Sequence, residues 1–256
     1  MEIRTLASGS SGNCILLSQD GVHLLVDAGI SCKRILTHLG ELGIDPTTVA
    51  GVLITHEHSD HISGLATLTK RLNAPVYTSP GTALALRRRM AWPVGMLRDV
   101  PAGETFEVGG FSVECFATSH DAEEPMGFTF TYGKKRAAVV TDLGYVSDEV
   151  LDGVLGAHAV VCEFNHDVEL LRTGRYPYYL KQRILGDKGH LSNEAGAALA
   201  LQCVEQGAHT VLLAHLSAEN NTPTLALKAA KAALAGHDSV TVAVAPRSEP
   251  SPAYEV

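Results

Sequence analysis

The stretch that most restricts the fold of this chain is "GVLITHEHSDHISG", in which an apolar run ends in a dense cluster of histidines. His56, His58, Asp60 and His61 fall within six residues, at the point where a buried strand should give way to a helix. His56 and His58 point the same way in an extended segment, because side chains repeat every two residues. Imidazole and carboxylate groups suit Zn²⁺, Mn²⁺ or Fe²⁺. The stretch therefore predicts a metal site at a strand end, with Asp60 and His61 facing a second ion.

The rest of the chain has short strand-like runs first and strands alternating with helices later. "CILLS" and "VHLLVDAG" predict a hairpin around "QDG", and "SNEAGAALALQCVEQG" predicts a helix that begins after Ser192. This order predicts an α/β (α+β) fold with two mixed β-sheets flanked by helices, in one domain over residues 1–245. The segment 246–256 is rich in proline and serine and is expected to be a flexible tail.

Composition narrows the class of protein. With 256 residues and 45% hydrophobic content, the chain can bury a large core. It has no uninterrupted apolar run of about 18 residues and no signal-peptide pattern at its start, so a cytoplasmic protein without a membrane span is expected. Its five cysteines form no CxxC pair, which favours buried free thiols over disulfides or a thiolate zinc site.

The net charge of −8 argues weakly against a protein that binds nucleic acid through overall attraction to phosphate. Bound divalent ions would cancel several negative charges where a substrate lies. Basic residues also cluster locally, although such clusters are more often solvated faces. These clusters are Arg87–Arg89, Lys134–Arg136, and Arg172, Arg175, Lys181 and Arg183.

The HxHxDH pattern after an apolar strand resembles the metallo-β-lactamase superfamily, whose fold is an αββα sandwich. Later motifs match that family in order, namely Asp27 in "HLLVDAG", His120 in "ATSHDAEEP", Asp142 in "AVVTDLG" and His215 in "VLLAHLS". The resemblance implies a first metal ion on His56, His58 and His120, and a second on Asp60, His61 and His215. Asp142 would bridge the two ions, and Asp27 would support the metal loops. Between the ions a hydroxide, formed at a pKa of roughly 7, would be the nucleophile.

A histidine outside this set indicates a branch of the superfamily. His190 in "KGHLSNEAGA" resembles the proton-donating histidine of the transfer-RNA 3′-processing endonucleases, and Glu163 in "CEFNHD" resembles its acidic partner. A phosphodiester has a poor leaving group, which benefits from a general acid. With "LASGSSGNC", "SHDAEEPMGF" and "LAHLSAENN", these stretches resemble the YycJ/WalJ-like branch, which implies a binuclear phosphodiesterase and specifically a 5′-to-3′ DNA exonuclease. His190, Glu163 and Asp60 are its expected catalytic residues.

Several polar residues near these motifs are candidate substrate or phosphate contacts. They are Ser11 and Asn13 in the glycine-serine loop, Asn165 and His166 after Glu163, and Ser217, Asn220 and Asn221 after His215. Tyr176, Tyr178 and Tyr179 lie among the cations that precede His190. They could stack on single-stranded bases, but a helix that buries its tyrosines in the core is the preferred interpretation.

Two other kinds of function remain open from the residues. One is a small-molecule hydrolase of the same fold, either a cyclic-nucleotide phosphodiesterase or a glyoxalase II-like thioesterase. The other is a non-catalytic metal-binding partner protein, although an intact ligand set argues against it. The sequence does not separate zinc from manganese or iron, or DNA from RNA, and it leaves cleavage polarity, strandedness and oligomeric state open.

Overall fold

Two seven-stranded β-sheets form the centre of the fold, which the computed structural model describes over residues 1–256. The first sheet runs in the spatial order β14 (Tyr254–Glu255), β1 (Glu2–Ala7), β2 (Cys14–Gln19), β3 (Val22–Val26), β4 (Val49–Leu53), β5 (Val76–Thr78) and β6 (Leu97–Asp99). The second runs β13 (Thr241–Val244), β12 (Thr210–Ala214), β11 (Ala159–Glu163), β10 (Lys135–Val140), β9 (Met126–Tyr132), β8 (Phe111–Ala117) and β7 (Thr105–Val108). Each sheet is mixed, because β3 to β6 and β10 to β13 pair in parallel and the other neighbours are antiparallel.

Helices cover the outer faces of both sheets. The nine helices are α1 (Cys32–Glu41), α2 (Ser59–Ile62), α3 (Leu65–Leu68), α4 (Pro80–Arg89), α5 (Asp148–Val154), α6 (Val168–Thr173), α7 (Tyr178–Leu185), α8 (Asn193–Glu205) and α9 (Pro223–Ala233). Helices α1, α3 and α4 share a core with the first sheet, and α5, α8 and α9 share one with the second. The expected αββα sandwich is confirmed. No helix is both long and apolar enough to cross a bilayer.

The largest core lies between the two sheets. It contains 24 buried residues, among them the fully buried Phe111, Phe128 and Phe130. Neighbouring residues of a strand point to opposite faces of the sheet. In β3, Leu24 packs in the core between the sheets, whereas Leu25 packs in the core under the helices. All five cysteines are buried and free, as expected.

Local turn and capping signals form as the sequence predicts. The hairpin between β2 and β3 turns at Asp20 and Gly21, whose φ angles are 51° and 76°, as hairpin turns require. The side chain of Ser192 accepts a hydrogen bond from the Ala195 N–H at the start of α8.

The helix that is expected to follow the His56–His61 cluster is broken into two short pieces. The stretch "ISGLATLTKRL" forms only the end of α2 and the one-turn helix α3. Gly64 separates them, and its N–H donates to the Ala28 carbonyl at 2.8 Å. A Cβ at Gly64 would lie 2.1 Å from the Ile30 carbonyl oxygen. Packing against the loop after β3 therefore overrides the helical periodicity.

The expectation of a flexible tail at 246–256 is wrong. Tyr254 and Glu255 form β14 on the edge of the first sheet, opposite Ile3 and Glu2. The Thr5 N–H donates to Ser251 Oγ at 3.1 Å, and the Ser251 N–H donates to the Thr5 carbonyl at 2.8 Å. The segment is ordered because its backbone groups pair with β1, which would otherwise be the unpaired edge of the first sheet.

The preferred interpretation of the tyrosines before His190 is also wrong. Tyr178 and Tyr179 begin α7, and 78% and 74% of their respective surfaces are exposed. No residue of α7 is buried. Leu180, Lys181 and Ile184 are half-buried, but Tyr178 and Tyr179 add nothing to the core.

Candidate metal centre and active site

The candidate site residues lie where strands of both sheets end. Parallel strands bring their carboxyl ends to one edge of a sheet, and in open α/β folds ligands bind outside that edge. Each of the following residues ends a strand or lies at most five positions after its last residue. They are Asp27 after β3, His56 and His58 after β4, His120 after β8, Asp142 after β10, Glu163 at the end of β11, and His215 after β12.

Three of these residues adopt a left-handed backbone conformation. The φ angles are 62° at Asp27, 61° at Asp142 and 58° at His215. Such angles are uncommon for residues other than glycine and cost on the order of 1 kcal/mol or more each. Hydrogen bonds hold the turns, for example from the His215 N–H to Ser8 Oγ at 2.8 Å. The surrounding structure therefore maintains strain at the strand ends that form the site.

The first set of potential ligands is His56, His58 and His120. One nitrogen from each ring lies within 4.8 Å of the others, close enough for one ion. His56 is fully buried, and its Nε2 has no hydrogen-bond partner. The Gly189 carbonyl lies 2.9 Å from His120 Nδ1, which leaves Nε2 for a ligand. Burial, followed by the nearby His61, holds the pKa of His56 well below its ordinary value. The ring is therefore neutral, as a metal ligand must be.

The second set is Asp60, His61 and His215, whose ligand atoms are equally close together. Asp60 Oδ2 lies 3.5 Å from both His61 Nε2 and His215 Nε2. Asp142 lies between the two sets, with its Oδ2 3.4 Å from His61 Nε2 and its Oδ1 3.8 Å from His120 Nε2. The seven residues thus form one continuous cluster of potential ligands, in which His56, His61 and Asp142 are also close enough together to share an ion.

The donor atoms and the charge of this cluster suit divalent cations. Asp142 Oδ2 and His215 Nε2 are buried without any hydrogen-bond partner, and such orphaned polar atoms are costly unless something binds them. Burial lowers the pKa of His215, but Asp142, Asp60 and Glu163 together outweigh this effect and raise it to about 10. The carboxylates thus favour positive charge at the centre of the site, which a divalent ion would supply. Clustered imidazole and carboxylate groups of this kind make divalent metal binding a property of the site.

The positions of the ligand loops depend on Asp27 and Thr55. Asp27 Oδ2 lies 2.7 Å from His61 Nδ1, and Asp27 Oδ1 accepts a hydrogen bond from the Thr55 N–H at 2.9 Å. The Thr55 hydroxyl lies 3.0 Å from His56 Nδ1. One buried carboxylate therefore orients a ligand from each set, the arrangement that fixes ring orientation at metal sites.

His190 and Glu163 form a separate pair at the edge of the cluster. His190 Nδ1 lies 2.8 Å from Glu163 Oε1, and His190 is part-exposed whereas Glu163 is fully buried. The Leu143 and Leu191 N–H groups donate to Glu163 Oε2 at 3.0 and 3.2 Å. Despite its burial, the contact with His190 lowers the pKa of Glu163 below its ordinary value.

The Glu163–His190 pair also touches the ligands. Glu163 Oε1 lies 3.1 Å from His215 Nδ1, and His190 Nδ1 lies 3.7 Å from Asp142 Oδ1. Asp142, Glu163, His190 and His215 are themselves close enough together to share an ion. Both Glu163 oxygens already accept hydrogen bonds, however, which favours a positioning role for this carboxylate over a ligand role.

The candidate substrate contacts fall into two groups. Ser11 is exposed on the glycine-serine loop, and His166 and Asn220 are buried with unpartnered polar atoms, His166 through both ring nitrogens. Only Ser11 of these three is exposed to solvent, because the unpartnered atoms of His166 and Asn220 are buried. Burial also lowers the pKa of His166 to about 4, so this ring is neutral at physiological pH.

The other four candidates make hydrogen bonds within the protein. Asn13 Oδ1 accepts from the Gly9 N–H at 2.8 Å, Asn165 Nδ2 donates to the His215 carbonyl at 3.0 Å, and Ser217 Oγ accepts from the Asn220 N–H at 3.2 Å. Asn221 Nδ2 donates to the Phe164 and Asn165 carbonyls and to Asn193 Oδ1. Its Oδ1 accepts from Asn193 Nδ2 and from the Thr222 N–H. No polar atom of the Asn221 side chain is left without a partner, and a contact between Asn221 and substrate stays a prediction.

Two residues at the mouth of the site were not predicted. The Asp121 carbonyl lies 3.2 Å from His58 Nε2, and its carboxylate lies 3.4 Å from His120 Nε2 and accepts a hydrogen bond from Arg183 Nε. Burial raises the pKa of Asp121, but the contacts with Arg183, His120 and His58 lower it below the ordinary value. The only sequence signal for Asp121 is its position directly after His120, and none connects it with Arg183, 62 residues away.

Comparison with known proteins decides the family. The family described as "Beta-lactamase superfamily domain" matches residues 23–216. The "Exodeoxyribonuclease YycJ" of Bacillus anthracis is 40% identical over 227 residues, which cover 88% of this chain and 86% of that protein. This chain belongs to the YycJ/WalJ-like branch of the metallo-β-lactamase superfamily. It is accordingly a metal-dependent hydrolase.

Other relatives agree with this assignment. The "Exodeoxyribonuclease WalJ" of Streptococcus pneumoniae serotype 2 is 41% identical over 224 residues, covering 86% of this chain and 83% of that protein. Among solved structures, the metallo-β-lactamase fold protein YhfI of Bacillus subtilis superposes with a TM-score of 0.74 over 99% of both chains, at 17% identity. The solved structure supports the fold, and the sequence relatives support the branch.

Proposed function

We propose that this protein is a DNA exonuclease that uses two divalent metal ions and cuts from the 5′ end towards the 3′ end. The observation that carries the proposal is the His190–Glu163 pair, which lies beside the clustered histidines and aspartates that could hold metal ions. DNA as substrate is supported by relatives named exodeoxyribonucleases. The direction of cutting follows from the resemblance to the YycJ/WalJ-like branch.

The ligand roles in this proposal follow the two sets. His56, His58 and His120 would hold one ion, Asp60, His61 and His215 the other, and Asp142 would bridge them. Zn²⁺, Mn²⁺ and Fe²⁺ all suit these side chains. When bound, such ions activate water and stabilise charge on phosphate oxygens.

The protein's own contribution is to position the substrate and transfer a proton. Glu163 accepts a hydrogen bond from His190 Nδ1. The proton that His190 donates to the departing sugar oxygen is therefore the one on Nε2. Asp60 contributes as one of the carboxylates of the cluster, and Ser11, exposed on the glycine-serine loop, is available to contact a substrate phosphate.

The other two functions have less support. A glyoxalase II-like thioesterase has little need of a general acid, because a thiolate is a good leaving group. A cyclic-nucleotide phosphodiesterase would need the acid, but it would not account for relatives named exodeoxyribonucleases. A non-catalytic partner protein would not need a buried carboxylate that makes four hydrogen-bonding contacts to hold one histidine and its surroundings.

The proposal is tested by counting metal ions and following DNA degradation in the same preparation. We expect two ions per chain. A label at the 5′ end of a 5′-phosphorylated oligonucleotide should be released early in the reaction, and a label at the 3′ end should stay on the shortening strand until late. The protein with His58→Ala and Asp60→Ala serves as the control without intact ligand sets. A metal-loaded protein that hydrolyses thioesters or cyclic nucleotides but leaves DNA uncut would contradict the proposal.

A further inference from the structure

A basic and aromatic surface lies on α7 and the segment before it. We call it the α7 surface, and it consists of Arg172, Arg175, Tyr178, Tyr179, Lys181 and Arg183. Tyr178 and Tyr179 are 78% and 74% exposed, which makes them two of the most exposed large apolar side chains of the protein. Exposed aromatic rings that stabilise nothing in the fold need another explanation.

The α7 surface is attached directly to the candidate active site. Arg183 donates from Nε to the Asp121 carboxylate, and Asp121 contacts His58 and His120. At the end of α7, the His190 N–H donates to the Ile184 carbonyl at 3.0 Å. A substrate strand that lies along α7 would therefore have its end beside the candidate metal ligands and His190.

The charge of this surface is opposite to that of the whole chain. Between residues 170 and 188 there are five basic side chains and one acidic side chain, whereas the chain carries a net charge of −8. The arginines are spread over the segment, and only Arg183 is paired with a carboxylate. This local excess of positive charge complements a phosphate backbone.

The spacing on the helix suits a strand of nucleotides rather than a single ion. Tyr179 and Arg183 are four residues apart, so they share one face of α7 and are separated by about 6 Å along its axis. An aromatic ring stacks on an unpaired base, and an adjacent cation contacts the backbone. Bases in an intact duplex are already stacked on each other and do not offer their faces in this way.

We propose that the α7 surface binds unpaired nucleotides of the strand being cut, with bases stacked on Tyr178 and Tyr179 and phosphates on the neighbouring cations. This proposal rests on the proposed nuclease function, and it adds that the strand enters the site single-stranded. Arg183 and Asp121 connect this binding surface to the first ligand set.

Binding of a fluorescent single-stranded oligonucleotide tests the proposal, with His190→Ala in all proteins to prevent cutting. We expect the combined Tyr178→Ala and Tyr179→Ala variant to raise Kd about tenfold or more, since each stacked base is worth about 1–3 kcal/mol. The matched Tyr178→Phe and Tyr179→Phe variant retains the rings and should bind within about twofold of the parent. A blunt duplex should be much less affected by the loss of the rings.

A second arm separates this proposal from the proposed function. In the otherwise native enzyme, the two alanine substitutions should leave turnover of bis(4-nitrophenyl) phosphate unchanged, because that small diester does not reach α7. Arg88→Ala, on the exposed side of α4, is the charge control and should leave DNA affinity unchanged. Equal Kd values for the alanine and phenylalanine variants would overturn the role of the α7 surface, whatever the protein cuts. Native enzyme that hydrolyses the small diester but no DNA would instead overturn the proposed function.

Discussion

At the scale of single residues, Asp27 shows how one buried side chain can organise a whole metal centre. It contacts His61 directly and Thr55 through backbone and hydroxyl groups. Its left-handed φ of 62° turns the chain at the end of β3, so its carboxylate reaches the loop that follows β4. The sequence predicted a supporting role for this residue from the family resemblance, whereas Thr55 carried no signal because it lies among residues of more obvious chemistry.

Replacing Asp27 by asparagine should weaken metal binding while preserving the fold. Asparagine tolerates the left-handed conformation, but it is neutral and holds the His61 ring less firmly. Loss of such an outer partner typically lowers metal affinity about 10- to 100-fold, and a competition titration with a chelating dye measures this. Asp152→Asn, on the exposed side of α5, is the matched control. Unchanged affinity in the Asp27 variant would show that the ligand loops hold their geometry without it.

At the scale of elements, close contacts between loops position the ligands as much as the strands do. Gly29 follows β3, and a Cβ there would lie 1.6 Å from the Asp60 carbonyl oxygen. The Asn13 N–H donates to this same carbonyl at 2.8 Å. Three chain segments thus meet at one point, and the glycine is what lets them approach.

Gly29→Ala should disrupt this meeting point. The overlap with Asp60 forces a backbone shift, so we expect a loss of at least about 3 kcal/mol in the free energy of unfolding, with weaker metal binding. Gly40→Ala is the matched control, because nothing lies within 4 Å of a Cβ at that exposed position of α1. That change should be neutral or stabilise by about 0.5–1 kcal/mol. Urea unfolding of both variants gives the comparison, and equal effects would contradict the packing argument.

The C-terminal segment makes a second prediction at this scale. Removal of residues 250–256 takes away β14, the hydrogen bonds of Ser251 and the buried Val256. We expect the free energy of unfolding to fall by about 2–4 kcal/mol. Ser251→Ala alone should cost about 1 kcal/mol. Identical urea midpoints for the full-length and shortened proteins would mean that the edge strand contributes no stability.

Sequence reasoning succeeded for elements with strong local signals and failed where tertiary contacts decide. The β2–β3 hairpin, the capped helices and the strand ends that carry ligands follow from turn residues, capping residues and apolar runs. The broken helix at Gly64 and the edge strand β14 depend on partners far away in the chain. The exposure of Tyr178 and Tyr179 on α7 could not be predicted, because tyrosines within a helix look the same in sequence whether they face a core or solvent.

At the scale of the whole molecule, the two sheets bring together residues that span almost the entire chain. Asn13 and His215 both reach the second ligand set, and the Ser8 hydroxyl accepts from the His215 N–H across 207 residues. The family motifs predicted which residues meet, because each motif ends a strand. They did not predict the Asp121–Arg183 contact or the exposed α7 surface, since neither belongs to a motif and both depend on how the 168–189 segment packs beside the site.

The most direct test of the central claim is the dependence of His190→Ala on the leaving group. A general acid matters for a sugar alkoxide, which is a poor leaving group, and hardly at all for nitrophenolate. We therefore predict that His190→Ala lowers the rate of DNA cleavage about 10²- to 10⁴-fold, while hydrolysis of thymidine 5′-(4-nitrophenyl) phosphate falls less than about tenfold and the metal content stays at that of the native protein. Equal losses on both substrates, together with loss of metal, would show that His190 is a ligand and would contradict the account.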